Sequence, residues 1–151
     1  MGGYAYKEPR IYYYQRIKGF HFMRISTGVD IVEIQRVKNL VEKYLNDPAL
    51  ERIFLKEEIA YCTARGHANM QSFAARFAAK EAVAKALGTG FGEKCQWNEI
   101  CVCNDSEGAP GIELFGATKE TFERQKGIEL SLSVSHCKEY AVAMVVMTKG
   151  G

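Results

Sequence analysis

The stretch Asn69–Leu87 constrains this chain more than any other. It is rich in Ala, the residue with the best intrinsic helix propensity, and Gly88-Thr89-Gly90 follows it, with Gly88 suited to a left-handed C-cap. The pattern predicts one long helix over 69–87. Phe73, Phe77, Glu81 and Lys85 recur four apart and therefore form one stripe along it, two rings that favour burial followed by an acid and a base. Arg76 and Lys80, also four apart, lie on a neighbouring face and make the end of the helix locally positive. A helix of this kind must be covered, and the rest of the chain supplies the cover.

Arg24–Ile31 is short and β-prone, with Gly28 allowing a bulge or a close approach. Ile34, Val37, Val41 and Tyr44 then recur at helical spacing until Asn46-Asp47-Pro48 stops them. A second helical piece is expected over Ala49–Cys62 and a loop over Ala64–Asn69. Beyond the long helix, Trp97–Val102, Ile112–Phe115, Glu129–Ser135 and Tyr140–Met147 read as strands, and Ala117–Gln125 as a short helix. The turn residues Asn104 to Pro110 make the first two of those strands a hairpin. Leu130 to Ser135 alternates strictly between apolar and Ser, so that strand buries one face. Helices first and antiparallel strands later give the α+β class.

The chain has 151 residues, 47% of them hydrophobic and 25% charged, which suits one domain with a real core and excludes intrinsic disorder. A net charge of +2 gives no bulk reason to bind nucleic acid or a membrane surface. Tyr140–Met147, the longest apolar run, is too short to span a bilayer. Five cysteines without a secretory h-region read as reduced thiols of a cytoplasmic protein. Residues 1–22 carry Lys7, Arg10, Arg16 and Lys18 against Glu8, so that stretch holds +3 and the remainder −1. They are expected to be an N-terminal extension, a cloning remnant or an upstream start, with the domain at 23–151.

Asp30 sits where the first strand meets the first helix. It fits an N-cap, and it equally fits a ligand for a hard metal. Two carboxylates from different elements, completed by substrate phosphate oxygens, are a usual way to hold Mg²⁺. Asp30 and Glu81 offer such a pair, with Lys85 and Arg76 to answer phosphate charge. Glu81 and Lys85 also fit an ordinary surface pair worth roughly 0.2–0.5 kcal/mol. Cys101-Val102-Cys103 and His136-Cys137 lack zinc-site spacing, and Gly88-Thr89-Gly90 follows a helix instead of opening one, so it is no phosphate loop. His136 is either a polar turn residue or a phosphate contact. Together these residues suggest a phosphate-handling, Mg²⁺-assisted enzyme.

Three segments together resemble the small bacterial holo-[acyl-carrier-protein] synthase family of 4′-phosphopantetheinyl transferases: Thr27 to Val37, Phe73 to Gly90, and Leu132 to Ala141. The resemblance covers nearly everything from Met23 to Met147, and the second segment is the most specific. It implies that family's α+β fold and transfer of the phosphopantetheine arm from coenzyme A to a serine of apo acyl-carrier protein, releasing 3′,5′-ADP, in support of fatty acid biosynthesis. It implies Asp30 and Glu81 as ligands of Mg²⁺, with Mn²⁺ as the alternative, and Glu81, Lys85 and Asp30 as the catalytic set. The serine proton is expected to go to Glu81, directly or through a metal-bound water, with a water relay alone as the alternative. Arg76, Lys85, Gly88, Thr89, Ser135 and His136 match coenzyme A contacts, and Arg36 matches an arginine that grips the acidic carrier protein. The family further implies a homotrimer with active sites between protomers. Met144, Val146 and Met147 fit a subunit contact or ordinary core. Two departures stand out: Ala68 replaces a basic residue, and Cys137 stands where Thr or Ser often follows the histidine.

Overall fold

A computed structural model describes residues 23–151, so the reading of residues 1–22 as an extension lies outside the described residues. Strand β1 (Arg24–Glu33) pairs antiparallel with β5 (Tyr140–Lys149), which pairs antiparallel with β4 (Gly127–His136), giving the sheet order β1-β5-β4. A separate hairpin joins β2 (Ile100–Asn104) to β3 (Pro110–Leu114). The helices are α1 (Ile34–Tyr44), α2 (Lys56–Thr63), α3 (Asn69–Leu87) and α4 (Gly116–Arg124). The α+β class holds.

Helix α3 forms over the residues its composition predicts and ends at Gly88, whose φ of 71° is the left-handed cap. It lies on one face of the three-stranded sheet and is buried nearly all round, because α1, α2 and β2 cover its other sides. Gly28 lets it come close: a Cβ there would overlap the Ala82 carbonyl oxygen and lie 2.7 Å from the Ala86 nitrogen. The β1–β5 register runs without interruption through Gly28, so the glycine serves close approach and makes no bulge. In β4, Leu130, Leu132 and Val134 turn to the core while the serines between them are exposed. The hairpin turn is organised by Asp105, whose Oδ1 accepts from the Glu107 and Ala109 backbone nitrogens at 2.9 and 2.8 Å.

Three expectations are corrected. The helical piece over Ala49–Cys62 is two elements, a 3₁₀ turn at Pro48–Arg52 and then α2. Its break lies at Ile53–Leu55, where the Glu58 carboxylate reaches back to cap the Leu55 nitrogen at 2.8 Å. Trp97–Glu99 is a 3₁₀ turn that precedes β2, and Gly66–Ala68, expected in a loop, forms another. Of the apolar residues on β5, Met147 is fully buried core, Val146 is half-buried, and Met144 stands out on the opposite face of the sheet.

Candidate active site

Asp30 does not cap α1. The strand continues past it to Glu33, and α1 starts at Ile34 with no side-chain cap. Alternation along β1 instead points Asp30, like the buried Gly28 and Val32, at the face carrying α3. There it meets the stripe on α3. Phe73 and Phe77 are buried, Glu81 is half-buried, and Lys85 emerges at 51% side-chain exposure, so the stripe runs from core to surface. The ion pair that Lys85 makes is with Asp30: its Nζ donates to Asp30 Oδ1 at 2.9 Å and to the Val29 carbonyl at 2.8 Å. The helix-surface pair Glu81–Lys85 is therefore not the arrangement adopted.

Glu81 lies beside this pair. Burial raises its pKa above the ordinary carboxylate value, and the Asp30 carboxylate raises it further, against the opposing pull of Lys85 and Arg36. Two carboxylates that repel each other at the edge of a core make an oxygen-donor pair suited to a hard cation. Among the described residues no third His, Cys, Asp or Glu joins them, so phosphate oxygens and water would have to complete a coordination shell. Arg36, exposed on α1, brings positive charge to the same side.

The other predicted site residues do not all converge here. Arg76 is nine residues before Lys85, a half-turn away on an α-helix, and is 5% exposed. Its guanidinium stacks 4.1 Å over the Tyr61 ring, Nη2 donates to Asn104 Oδ1 at 2.8 Å, and its buried Nε has no partner. Arg65 approaches the same ring at 5.7 Å. Among the described residues no carboxylate pairs with Arg76 within 4.0 Å, so its charge is answered by the ring and the amide. Ser135 and His136 end β4 and are exposed. Ser135 opposes Val142, which opposes Ile31, so it stands about 10 Å from β1 and on the sheet face opposite Asp30. Gly88 and Thr89 close α3, with Thr89 Oγ1 donating to the Gly90 carbonyl at 2.9 Å.

Lys80, expected to help make the end of α3 positive, is instead part of the core. It is 0% exposed, and its ammonium donates to Glu58 Oε2 at 2.6 Å, the Ile53 carbonyl at 2.7 Å and the Trp97 carbonyl at 3.0 Å. Tyr61 and Asn104, which hold Arg76, were missed in the sequence. They lie 15 and 28 residues from it, and the turn signal that includes Asn104 marks a hairpin without indicating what its side chain meets.

The chain is similar to known proteins of one family. Residues 26–145 match the model of the 4′-phosphopantetheinyl transferase superfamily. The holo-[acyl-carrier-protein] synthase of Ruminiclostridium cellulolyticum is 42% identical over 128 residues, covering 85% of this chain and 95% of that protein. The synthase of Geobacter sp. strain M21 is 44% identical over 128 residues, covering 84% of this chain and 100% of that protein. Among solved structures, Helicobacter pylori holo-[acyl-carrier-protein] synthase in complex with coenzyme A superimposes with a TM-score of 0.69 at 34% identity, over 80% of this chain and 98% of that one.

Proposed function

The chain belongs to the 4′-phosphopantetheinyl transferase superfamily, and from that premise we propose that residues 23–151 form a holo-[acyl-carrier-protein] synthase centred on Asp30, Glu81 and Lys85. It transfers the 4′-phosphopantetheine group of coenzyme A to a serine of apo acyl-carrier protein and releases 3′,5′-ADP. The observation that carries the assignment of the site is the meeting of Asp30, from β1, with Lys85 and Glu81 on one face of α3.

The chemistry makes one bond from the serine oxygen to the phosphorus that bears pantetheine, and breaks the bond from that phosphorus to the ADP oxygen. Lys85 Nζ, half exposed on a flexible stem, reaches a pyrophosphate oxygen and offsets its charge. Glu81, whose proton affinity is raised by burial and by Asp30, accepts the serine proton. Asp30 and Glu81 also fit a divalent cation, Mg²⁺ with Mn²⁺ as a substitute, which when bound neutralises pyrophosphate charge. Arg36, exposed on α1 near Glu81, holds the acidic carrier with its serine directed at the site.

Arg76 and Ser135 face away from this cluster on their own chain, so coenzyme A spans two protomers, with Arg76, Ser135 and His136 supplied by a neighbour. The outer face of the sheet supports such packing: Ile25, Val29, Ile31 and Met144 are exposed there, Ile25 at 66%. The assembly is a homotrimer. The free cysteines suit the reducing cytoplasm, where we propose the reaction runs. Separately, among the described residues no helix is long and apolar enough to cross a membrane.

The test is to incubate the protein with apo acyl-carrier protein, coenzyme A and Mg²⁺ and follow the carrier's intact mass. Gain of phosphopantetheine, reduced at least a hundredfold by Asp30→Asn or Glu81→Gln in folded protein, is the expected result. No gain with any carrier overturns the assignment. Co-expressed Asp30→Asn and Arg76→Gln chains are expected to recover activity that neither has alone. Failure to do so, with a monomer in sedimentation, overturns the shared site.

A further inference from the structure

The contact between Lys85 and Asp30 does more than bring a phosphate-binding lysine near the metal ligands, because the ammonium occupies one of them. Nζ sits 2.9 Å from Asp30 Oδ1 and is anchored a second time on the Val29 carbonyl at 2.8 Å. Asp30 is mostly covered, at 17% side-chain exposure, while Lys85 is 51% exposed and free to swing outward. Two carboxylates facing one ammonium, with Arg36 beyond it, already make a nearly balanced cluster.

We propose that Lys85 is an internal stand-in for the metal: it neutralises Asp30 while the site is empty, and moves to phosphate when the pyrophosphate arrives. This rests on the reading of Asp30 and Glu81 as the metal pair. A divalent cation binds Asp30 poorly while an ammonium holds its Oδ1, since like charges on one carboxylate repel strongly. Lys85 leaves at low cost only when another anion receives it, and the pyrophosphate is that anion. Metal and nucleotide therefore bind together. The cation alone binds weakly, and by linkage each tightens the other. The bare carboxylate pair is also never left uncompensated beside the core, where its repulsion would loosen the contact between β1 and α3.

The test is binding of Mn²⁺ alone, without coenzyme A, followed by the electron paramagnetic resonance signal of the free ion. The wild type is compared with Lys85→Met, which keeps the stem and removes the charge, with Lys85→Gln as a second neutral variant, and with Asp30→Asn in each background. Circular dichroism establishes that each variant is folded. The neutral variants are expected to bind Mn²⁺ at least tenfold more tightly than wild type, and Asp30→Asn is expected to abolish that gain. Equal or weaker binding in Lys85→Met and Lys85→Gln, while Asp30→Asn still weakens binding, overturns the stand-in and spares the metal pair. Binding indifferent to Asp30→Asn in every background overturns the metal pair, and the stand-in with it.

Discussion

Removing either member of the buried Glu58–Lys80 pair is expected to be among the costliest single changes to this fold. The two side chains are 1% and 0% exposed and 2.6 Å apart. Glu58 Oε2 accepts from Lys80 and from the Leu55 nitrogen, and Oε1 accepts from the Val102 nitrogen at 2.9 Å. Lys80 spends its remaining protons on the Ile53 and Trp97 carbonyls. The pair thus ties α3 to α2, to β2 and to the segments on either side. Glu58→Gln leaves the ammonium without a counter-charge and, in either amide orientation, sets an NH₂ group against another N–H donor. Lys80→Met leaves a carboxylate in the core and orphans two carbonyls. Breaking one side of such a pair costs about 3–5 kcal/mol. In a chain of this size that is a fall in Tm of roughly 10–20 °C. The double variant Glu58→Gln/Lys80→Met is expected to lose less than the sum of the singles, because no charge is left uncompensated. Urea unfolding of all four proteins gives the coupling energy. Single losses below about 1 kcal/mol, or a coupling energy near zero, would refute the view that this pair fastens α3.

Gly28→Ala is expected to lose about 1–3 kcal/mol by overpacking, because the atoms in its way are the Ala82 carbonyl and the Ala86 nitrogen, which cannot rotate aside. Unchanged Tm and unchanged transferase activity would show that α3 and β1 need not approach so closely. Burial pushes the Cys62 and Cys101 thiols up to about 11, whereas at the exposed Cys137 the Glu139 and Tyr140 backbone groups lower the thiol. Iodoacetamide near neutral pH is therefore expected to label Cys137 ahead of Cys62 and Cys101, as read by peptide mass; equal labelling in native protein would contradict this. Between about pH 9 and 11 the unfolded thiols ionise while those two remain protonated, so the unfolded state binds fewer protons and stability falls as pH rises. The fall is expected to be shallower in Cys62→Ala/Cys101→Ala, and an identical slope would remove the thiols as its cause.

What the sequence makes legible is what local forces decide. The alanines and Gly88 bound α3, the spacing of Ile34, Val37 and Val41 fixes the buried face of α1, and the Leu-Ser alternation fixes that of β4. Asn46, with φ at 67°, ends the first helical run where the turn residues say it should. The failures have a common cause in contacts between distant parts of the chain. Glu58 looks like any charged residue in a short helix, and only its bond to Val102, 44 residues on, shows that it is core. The break before α2 depends on that same carboxylate. Asp30 looked equally like a cap because β1 is lengthened by pairing with β5 through Glu33, which no residue of β1 announces.

The direction in which the motif residues point was less legible than their identity. Phe73 to Gly90 reads as one signature, yet Arg76 and Lys85 within it stand a half-turn apart, with the sheet on one side of the helix and Tyr61 and Asn104 on the other. The same holds for Asp30 and Ser135, on opposite faces of one sheet. A helix buried nearly all round has to offer its charges at separate places along its surface, because each charge must find an exit or a partner. Lys85 has an exit, Lys80 has Glu58, and Arg76 has a ring, an amide and one unfilled donor. That unfilled donor is itself buried, so the Arg76 charge is answered by the ring and the amide alone. A domain of this length, with its main helix used as core, has little surface left from which to build both walls of a cleft around a molecule as long as coenzyme A.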